Sequence, residues 1–337
     1  MPINRRFTLV RRPDGVPVPE DFKLVEIETP ALADGEFLLR NHFASLDPAI
    51  RGWMDDRPSY LPPIRLGDPV RATTVGVVAE SRNAAFPIGS WASGLNGIED
   101  YSLCGVGGFT GRVDPDAVPS VTNYLSAVGA IGLTAYFALL DIGRPQPGET
   151  VLVTGAAGAV GSLVGQIAKM KGSRTVGIAG GPAKCERLTR DYGYDVAIDY
   201  RGKSPGELVR EIRAAVPDGV DVHFENVGGD VLDAALLSLN PKGRVVLCGL
   251  ISQYNSEPAA VRNLWRLIVQ GARMEGFILT QYIPRFGEAL PELAAWVREG
   301  KLRVDEHIDS GIENTLPAFL RLFEGTNEGK MILKIAD

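Results

Sequence analysis

A glycine-rich loop, Gly155 to Gly161, has the residue types and spacing that most clearly indicate chemistry. It reads Gly-Ala-Ala-Gly-Ala-Val-Gly, and residues 156–161 keep the G-x-G-x-x-G spacing with alanine in the first place. In such a loop Gly158 lets the backbone approach a diphosphate, Gly161 lets the next helix pack closely on a sheet, and the helix N terminus offers unpaired N–H groups. The spacing predicts a dinucleotide-binding loop. The alternative is a tight strand-to-helix turn without a ligand.

The residues after the second predicted strand favour NADPH over NADH. NAD sites usually place Asp or Glu at the tip of that strand, where it hydrogen bonds the adenosine ribose. Here the predicted strand Arg174–Ile178 runs into Ala-Gly-Gly-Pro, without an acid, and Lys184 follows. A lysine can meet a 2′-phosphate as a point charge. Arg187 and Arg190 can share this role, and the alternative for Lys184 is a solvated residue in the first turn of a helix.

The sequence has no pattern that indicates a zinc site or a hydrolase. Catalytic zinc needs three protein ligands, but no C-x-x-C motif or Cys–His pair at ligand spacing occurs. His42, His223 and His307 are isolated, and each is expected to be a packed or surface histidine. A G-x-S-x-G elbow is also missing. Hydride transfer would therefore need another way to stabilise charge on a substrate oxygen.

The loop lies in a region where short apolar runs alternate with helical patterns. This alternation predicts a doubly wound α/β domain with a parallel sheet. The predicted strands are Thr150–Thr154, Arg174–Ile178, Ala197–Asp199, Val220–Glu225 and Gly243–Cys248. The predicted helices are Ser162–Lys171, Pro182–Tyr192, Glu207–Val216, Val231–Leu239, Ala259–Gln270 and Phe286–Glu299.

The two ends of the chain have a different pattern of apolar residues. The first ~120 residues show short apolar runs broken by Gly, Pro and Asp, such as Phe37–Asn41, Thr74–Glu80 and Tyr101–Cys104. Residues 301–337 return to short alternating runs that end with Lys330–Ile335. We therefore expect a β-barrel-like module built from both ends, with the nucleotide-binding domain inserted between them.

Composition narrows the partners and the compartment. The 337 residues carry a net charge of −6 without a Lys/Arg-rich run, so nucleic acid and anionic membranes are not expected partners. Three distant cysteines argue against a disulfide framework and favour the cytoplasm. Residues 1–12 do not resemble a signal peptide, and the longest uncharged stretch, 118–140, contains Pro, Gly and Ser, so a membrane span is not expected.

Six segments carry a resemblance to a known family. They are Ser45–Met54, Gly132–Phe137, Val153–Lys171, Phe224–Gly229, Cys248–Asn255 and Asn327–Lys330. Together they resemble the zinc-free branch of the medium-chain dehydrogenase/reductase superfamily. The matching group contains the leukotriene hydroxydehydrogenases/prostaglandin reductases, plant double-bond reductases and bacterial curcumin reductases.

The resemblance implies a fold, a reaction and an assembly. It implies a GroES-like substrate domain over residues 1–125, completed by 301–337, and a Rossmann NADPH-binding domain over 126–300. It also implies a homodimer, in which the edges of the two Rossmann domains are one possible contact. The implied reaction is NADPH-dependent reduction of the C=C bond of α,β-unsaturated ketones or aldehydes. Hydride would go to the β-carbon, and Tyr254 with a cofactor ribose hydroxyl would stabilise the enolate.

The resemblance also implies cofactor contacts. Those at the diphosphate and the 2′-phosphate are Gly158, Ala159, Val160, Gly161, Lys184 and Tyr200. Those along the rest of the dinucleotide are Asn226, Cys248, Gly249, Ile251, Ser252, Tyr254, Phe277, Ile278, Leu279 and Asn327. Each has a simpler alternative: Tyr200 as a strand cap, Asn226 and Asn327 as turn residues, Cys248 as a small apolar residue, Phe277–Leu279 as a core strand and Tyr254 as a surface-loop aromatic.

Two positions depart from the family pattern. Ala49 stands where the group usually has a bulky aromatic residue after Asp-Pro, which would reshape the substrate pocket. Gly180-Gly181 replaces a usual Gly-Ser before the helix of Lys184, which removes a serine contact to the 2′-phosphate.

Three other functions compete with enone reduction. A zinc-free quinone reductase would share the cofactor site. An NADPH-binding sensor or structural protein would bind without turnover, because fold does not dictate function. Alcohol dehydrogenation with Tyr254 as the base would be at most a minor activity.

Overall fold

The computed structural model describes residues 2–105 and 108–336. The chain divides into two compact units, which differ in sheet type. Unit 1 combines residues 1–126 with 306–337, and unit 2 is the continuous segment 127–305.

Unit 2 is built on a parallel sheet of six strands in the order β10-β9-β8-β11-β12-β13. Its strands are β8 (Thr150–Thr154), β9 (Arg174–Ala179), β10 (Val196–Asp199), β11 (Val220–Glu225), β12 (Leu239–Leu247) and β13 (Arg273–Gly276). Its helices are α2 (Ala130–Phe137), α3 (Ala159–Met170), α4 (Pro182–Arg190), α5 (Pro205–Ala215), α6 (Gly229–Leu236), α7 (Trp265–Gln270) and α8 (Phe286–Arg298).

Burial explains why these residues form this sheet. All five residues of β8 are buried, as expected for a β-branched strand in the centre of a parallel sheet. Two separate apolar clusters belong to this unit, one including Val153, Val164 and Phe224, and the other Leu152, Ile178 and Ile212. Leu152 and Val153 are neighbours on β8, so the two clusters lie on opposite faces of the sheet. The predicted α/β class with a doubly wound parallel sheet is confirmed.

Two predictions about the second half of unit 2 need correction. The helix predicted over 259–270 is only Trp265–Gln270. Residues 257–263 form no regular element, and the backbone N–H groups of Arg262 and Asn263 donate to Asp233 Oδ1 instead of to a helix. Strand β13 was not predicted. Its burial pattern is exposed, half-buried, exposed, exposed, so it lacks the apolar run that revealed the inner strands.

Unit 1 contains a mixed sheet in the order β14-β15-β3-β4-β5-β7, with β6 paired to β3, and a separate β1-β2 hairpin. The strands are β1 (Ile3–Leu9), β2 (Phe22–Glu28), β3 (Phe37–Ser45), β4 (Arg71–Ser81), β5 (Trp91–Gly97), β6 (Tyr101–Cys104), β7 (Gly111–Arg112), β14 (Glu306–Ser310) and β15 (Lys330–Lys334). Its helices are α1 (Ala49–Trp53) and α9 (Thr315–Glu324). Strand β15 pairs antiparallel with β3, so the end of the chain completes the sheet begun near its start.

Helix α9 corrects the expectation of short alternating runs near the C terminus. Its buried residues Leu316 and Phe319 are three positions apart, which is a helical spacing. Pro317 lies in the first turn, where a missing N–H costs little. The proline obscured a helix that the apolar spacing already indicated.

Within residues 2–105 and 108–336, no helix has the length and apolar content that crossing a bilayer would require.

Candidate active site

The predicted cofactor residues of unit 2 follow the carboxyl ends of its strands. In a parallel sheet these ends share one edge, where open α/β sheets bind their ligands. The segments are 155–161 after β8, 180–184 after β9, Tyr200 after β10, 226–228 after β11, 248–254 after β12 and 277–279 after β13. The fold therefore brings these segments to one edge of one sheet.

The glycine-rich loop packs closely on the start of α3 and leaves that start without a side-chain cap. Gly155 has a φ of 58°, in the left-handed region that favours glycine. A methyl group on Gly161 would lie 2.4 Å from Gly155 O and 2.7 Å from Ala156 Cα, so the start of α3 touches the backbone of the loop. Among the described residues, no side chain caps α3 at Gly158. The first N–H groups of α3 are therefore available to an anion.

A second group of residues surrounds the turn between β9 and α4. A methyl group on Gly180 would lie 3.0 Å from Arg201 Nε and 3.2 Å from Tyr200 Oη. Asp199 fixes this arrangement, because its Oδ1 accepts hydrogen bonds from Gly181 N (2.7 Å) and Arg201 N (3.0 Å). Lys184 is half-buried in the first turn of α4, directly after the same turn. The turn thus has Tyr200 and Arg201 against it and a lysine beside it.

The other two cations of α4 have different partners. Arg187 Nη2 donates to Tyr192 Oη and to Asp305 Oδ2 (2.9 Å). Arg190 pairs with Glu186 and Asp191. Both arginines lie in the last turn of the helix, so Lys184 is the residue that the structure brings to the turn.

The loops after β8, β11 and β12 are tied together by hydrogen bonds. Asn226 donates from Nδ2 to Thr154 O (2.7 Å) and from its backbone N to Thr154 Oγ1 (2.8 Å). Ile251 N donates to Asn226 O (3.0 Å), and Ser252 donates from N and Oγ to Val227 O (3.0 and 2.6 Å). Asn226 thus joins the end of β8 to the 248–254 loop, and its contact with a cofactor stays a prediction.

Beneath these loops lies a buried pair, His223 and Glu225. Both side chains are fully buried, and His223 Nε2 lies 2.7 Å from Glu225 Oε2. Burial alone would raise the pKa of Glu225, but the hydrogen bond and charge of His223 and the N–H groups of Gly228 and Val227 outweigh it and lower that pKa. Glu225 is therefore a carboxylate inside the unit. Both residues were missed as site candidates. Two ionisable side chains two positions apart on an apolar strand share one face of the sheet, and this pattern could have indicated a buried polar pair.

Tyr254 is held by its own loop. Its hydroxyl oxygen accepts a hydrogen bond from Leu250 N (3.2 Å), and a methyl group on Gly249 would lie 3.1 Å from that oxygen. Burial raises the pKa of Tyr254. The hydroxyl is thus protonated at neutral pH and keeps its proton for donation, so Tyr254 is suited to be a hydrogen-bond donor and is a weak base.

The remaining predicted contacts in unit 2 are mainly backbone or apolar. Cys248 N and Gly249 N donate to Glu225 O, and burial raises the pKa of the Cys248 thiol to about 12. Phe277 N donates to Leu247 O, and its ring lies 5.1 Å from that of Tyr282. Phe277 and Leu279 pack against the apolar cluster of Val153. These residues follow β12 and β13 at the loop edge of the sheet.

Asn327 belongs to unit 1, where it precedes β15. Its side chain is buried, and Nδ2 donates to Gly329 O (2.8 Å). It has the turn role that was its simpler alternative, and its contact with a cofactor stays a prediction.

The Asp-Pro segment that departs from the family pattern is also in unit 1. The buried Lys330 donates from Nζ to Leu46 O (2.6 Å) and Asp47 Oδ1 (3.0 Å). Ser45 Oγ donates to Asp47 Oδ2 (2.5 Å). Ala49 follows as the first residue of α1 and packs against the core of the unit. Lys330 was not predicted as a site residue, and it fixes the segment that leads to Ala49.

Across residues 2–105 and 108–336, no three His, Cys, Asp or Glu side chains converge as the ligands of a metal ion would. All three cysteines are free thiols.

Comparison with known proteins places the chain in a family. Residues 5–110 match the family described as the N-terminal domain of oxidoreductase, and residues 159–295 match the family described as zinc-binding dehydrogenase. The NADPH-dependent curcumin reductase of Escherichia coli is 40% identical over 99% of this chain and 97% of its own length. Prostaglandin reductase 1 of Rattus norvegicus is 40% identical over 98% of each chain.

A solved structure is similar over the same length. CurA from Vibrio vulnificus in complex with NADPH superposes with a TM-score of 0.91 at 38% identity, covering 99% of both chains. The fold and the sheet-edge loops are those of an oxidoreductase with a nucleotide-binding domain. The chain belongs to the medium-chain dehydrogenase/reductase superfamily, in the group of the prostaglandin and curcumin reductases, as its six matching segments predicted.

Proposed function

We propose that this chain is an NADPH-dependent reductase of the C=C bond of α,β-unsaturated ketones and aldehydes. The observation that carries the proposal is the 40% identity with an NADPH-dependent curcumin reductase over nearly the whole of both chains. The local geometry supports it, because the uncapped start of α3 and the Gly180 turn are both suited to an anionic group and lie at the same sheet edge.

The residues present fit NADPH. The N–H groups of Ala159, Val160 and Gly161 suit the diphosphate, since no side chain caps the start of α3 and Gly158 has no side chain to hinder the approach. Lys184, Tyr200 and Arg201 suit the 2′-phosphate, because two cations and a hydroxyl lie around the turn. The turn itself contains no acid, and Oδ1 of the neighbouring Asp199 already accepts from Gly181 N and Arg201 N. When bound, NADPH supplies a hydride.

The task of Tyr254 is to stabilise charge on the substrate. Addition of hydride to the β-carbon of an enone moves negative charge to the carbonyl oxygen, and a preorganised donor aimed at that oxygen lowers the barrier. The Tyr254 hydroxyl accepts from Leu250 N, which fixes its oxygen and leaves its proton free to donate. Its raised pKa favours donation over proton removal, so alcohol dehydrogenation is the weaker alternative.

A substrate panel tests the proposal against its two rivals. Purified protein is mixed with NADPH and a 2-alkenal, a conjugated enone or a naphthoquinone, and NADPH absorbance is followed, with the saturated aldehyde and ketone as matched controls. We expect turnover with the alkenal and the enone, and products in which the C=C bond is saturated and the carbonyl is kept. Fast naphthoquinone reduction with inert enones would instead indicate a quinone reductase. NADPH binding without turnover of any compound would indicate a sensor.

We also propose that two copies associate through the β13 edge of unit 2. Every residue from Ile251 to Glu288 is exposed or half-buried, and on α7 the apolar side chains of Ile268 and Val269 are 84% and 62% exposed. Strand β13 ends the sheet, so its outer backbone groups can pair with the same strand of a second copy about a twofold axis.

Light scattering after size exclusion tests this association. Ile268→Asp should convert a dimer to a monomer, whereas Ile88→Asp, which changes another strongly exposed isoleucine in unit 1, should not. A monomeric wild type would refute the proposal.

The three free thiols support the cytoplasm as the compartment of the enzyme.

A further inference from the structure

Glu225 lies where the end of β8 meets the loops that follow β11 and β12. Its Oε1 accepts hydrogen bonds from Gly228 N (2.7 Å), Val227 N and Thr154 Oγ1 (3.0 Å). Its backbone oxygen accepts from Cys248 N (2.9 Å) and Gly249 N (3.1 Å). Glu225 thus binds three segments: the last residue of β8, which precedes the glycine-rich loop, the 226–228 loop and, through its backbone oxygen, the 248–254 loop.

The hydrogen bonds of His223 define where the protons are. Nδ1 lies 3.3 Å from Leu152 O, which can only accept, so Nδ1 carries a proton. Nε2 lies 2.7 Å from Glu225 Oε2, and one proton must lie between these two atoms, because two lone pairs would otherwise face each other. Since Oε1 already accepts three donors, Glu225 is stabilised as the anion and the proton belongs to Nε2.

The charge balance matters because of what the loops bind. A lone carboxylate buried below the glycine-rich loop would repel an anionic dinucleotide, and in a low-dielectric interior this repulsion would be poorly screened. His223 is fully buried beside the carboxylate, so the pair presents no net charge to the loops above it.

We infer that Glu225 is a positioning residue whose carboxylate joins the 226–228 loop to the end of β8, where the glycine-rich loop begins, and that His223 neutralises it as a buried imidazolium. The inference rests on the proposed NADPH function, because it assigns the loops to that cofactor. It goes beyond that function in assigning a proton to Nε2 and in predicting that the two residues are needed only together.

The protonation state can be measured without any cofactor. The chain has three histidines, so ¹⁵N-histidine spectra of the wild type and of the double variant His223→Leu/Glu225→Gln identify the ring signals of residue 223. We expect both ring nitrogens to be protonated at neutral pH. In Glu225→Gln, the amide can donate to Nε2, so His223 should change to the neutral ring with the proton on Nδ1. A neutral His223 in the wild type would overturn the inference.

The functional coupling is measured by NADPH affinity in a double-mutant cycle. Glu225→Gln keeps an acceptor for the loop N–H groups and should weaken the Kd by only about threefold, as charge-assisted hydrogen bonds become neutral. His223→Leu leaves the carboxylate uncompensated and should weaken the Kd by about tenfold or more, or prevent folding. Adding Glu225→Gln to His223→Leu removes the charge and should recover affinity or folding.

Tyr192→Phe is the matched control, since it removes a buried hydroxyl bonded to Asp305 in the same unit, away from the three loops. It can lower thermal stability but should leave the NADPH Kd unchanged. A double variant that is worse than His223→Leu would show a merely structural pair and overturn the inference. If the wild type itself does not bind NADPH, the proposed function fails, whereas the histidine spectra still decide the protonation state.

Discussion

Each unit has a fully buried charged residue that fixes a loop, Lys330 in unit 1 and Glu225 in unit 2. Lys330 donates to the carbonyl oxygens of Leu46 and Met331, whereas Glu225 accepts from the N–H groups of Val227 and Gly228. Their counter-ions differ in burial: the side chain of Asp47 is 21% exposed, but that of His223 is 0% exposed. Water can therefore solvate Asp47 when its partner is lost, and cannot solvate the pair in unit 2.

The comparison teaches that a buried charge can have different tasks in the two units. In unit 1 the cation closes the Asp-Pro segment before α1, where the predicted substrate contact Ala49 lies. In unit 2 the anion joins loops at the edge of the parallel sheet, where an anionic ligand is expected. Changes at Lys330 should then alter substrate use, and changes at Glu225 should alter cofactor use.

Lys330→Met should have the largest effect on stability. It removes three hydrogen bonds and leaves Asp47 half-solvated, so we expect a loss of about 3 kcal/mol, at the low end of what breaking a buried pair costs. Urea unfolding measures the loss. Lys23→Met, on the surface of the same unit, is the control and should be neutral. The KM for an enone should rise while the NADPH Kd stays constant, and the reverse would contradict the separation of tasks.

The same variant has a pH signature. Burial lowers the pKa of Lys330, and Asp47 opposes this only in part. The folded state then binds fewer protons than the unfolded state between the lowered pKa and the ordinary value of about 10.4, so Lys330 contributes stability that grows as pH rises through that window. The stability difference between wild type and Lys330→Met should therefore increase from neutral to alkaline pH. A constant difference would contradict it.

The parts of the molecule that could be predicted are those with a local pattern. The run Thr150–Thr154 and the glycine spacing after it predicted strand, loop and helix, because strand burial and close helix packing here depend on residues that are adjacent in sequence. Strand β13 could not be predicted, since an edge strand needs no apolar alternation. Arg201, Glu225 and Lys330 were missed because their tasks depend on partners far along the chain, such as Thr154 for Glu225 and Leu46 for Lys330.

Tyr254→Phe tests the chemistry of unit 2. Loss of one charge-assisted hydrogen bond of about 1.5–3 kcal/mol should cut kcat by roughly tenfold or more on a good enone. The NADPH Kd should not change, since the variant keeps the ring.

Because burial raises the pKa of Tyr254, its hydroxyl should stay protonated from about pH 6 to 9, and the pH profile of wild-type kcat should show no tyrosine titration there. Tyr124→Phe, which removes a hydroxyl bonded to Asp114 O in unit 1, is the control. An unchanged kcat would remove Tyr254 from the mechanism.

Two glycine variants separate packing from binding in the glycine-rich loop. Gly161→Ala places a methyl group 2.4 Å from Gly155 O, and such overpacking should lower the free energy of unfolding by about 1–3 kcal/mol. NADPH affinity should fall as well. Gly158→Ala places it 3.1 Å from that oxygen, at a φ of −77° that alanine adopts easily. It should therefore keep the thermal midpoint while NADPH affinity falls. Equal losses of stability in both variants would show that the loop glycines serve only packing.

Arg201→Ala should have the smallest effect, and it tests how unit 2 distinguishes NADPH from NADH. Arg201 Nε lies within 3.0 Å of the Cβ position of Gly180, but its side chain is exposed, so water screens its charge. Its loss should weaken the Kd for NADPH by about fivefold, or roughly 1 kcal/mol, and leave the Kd for NADH unchanged. Arg213→Ala, an exposed arginine of α5, is the charge-matched control. Equal weakening of both nucleotides would assign Arg201 to general electrostatic attraction, and the preference for the phosphorylated cofactor would then depend on Lys184 and Tyr200.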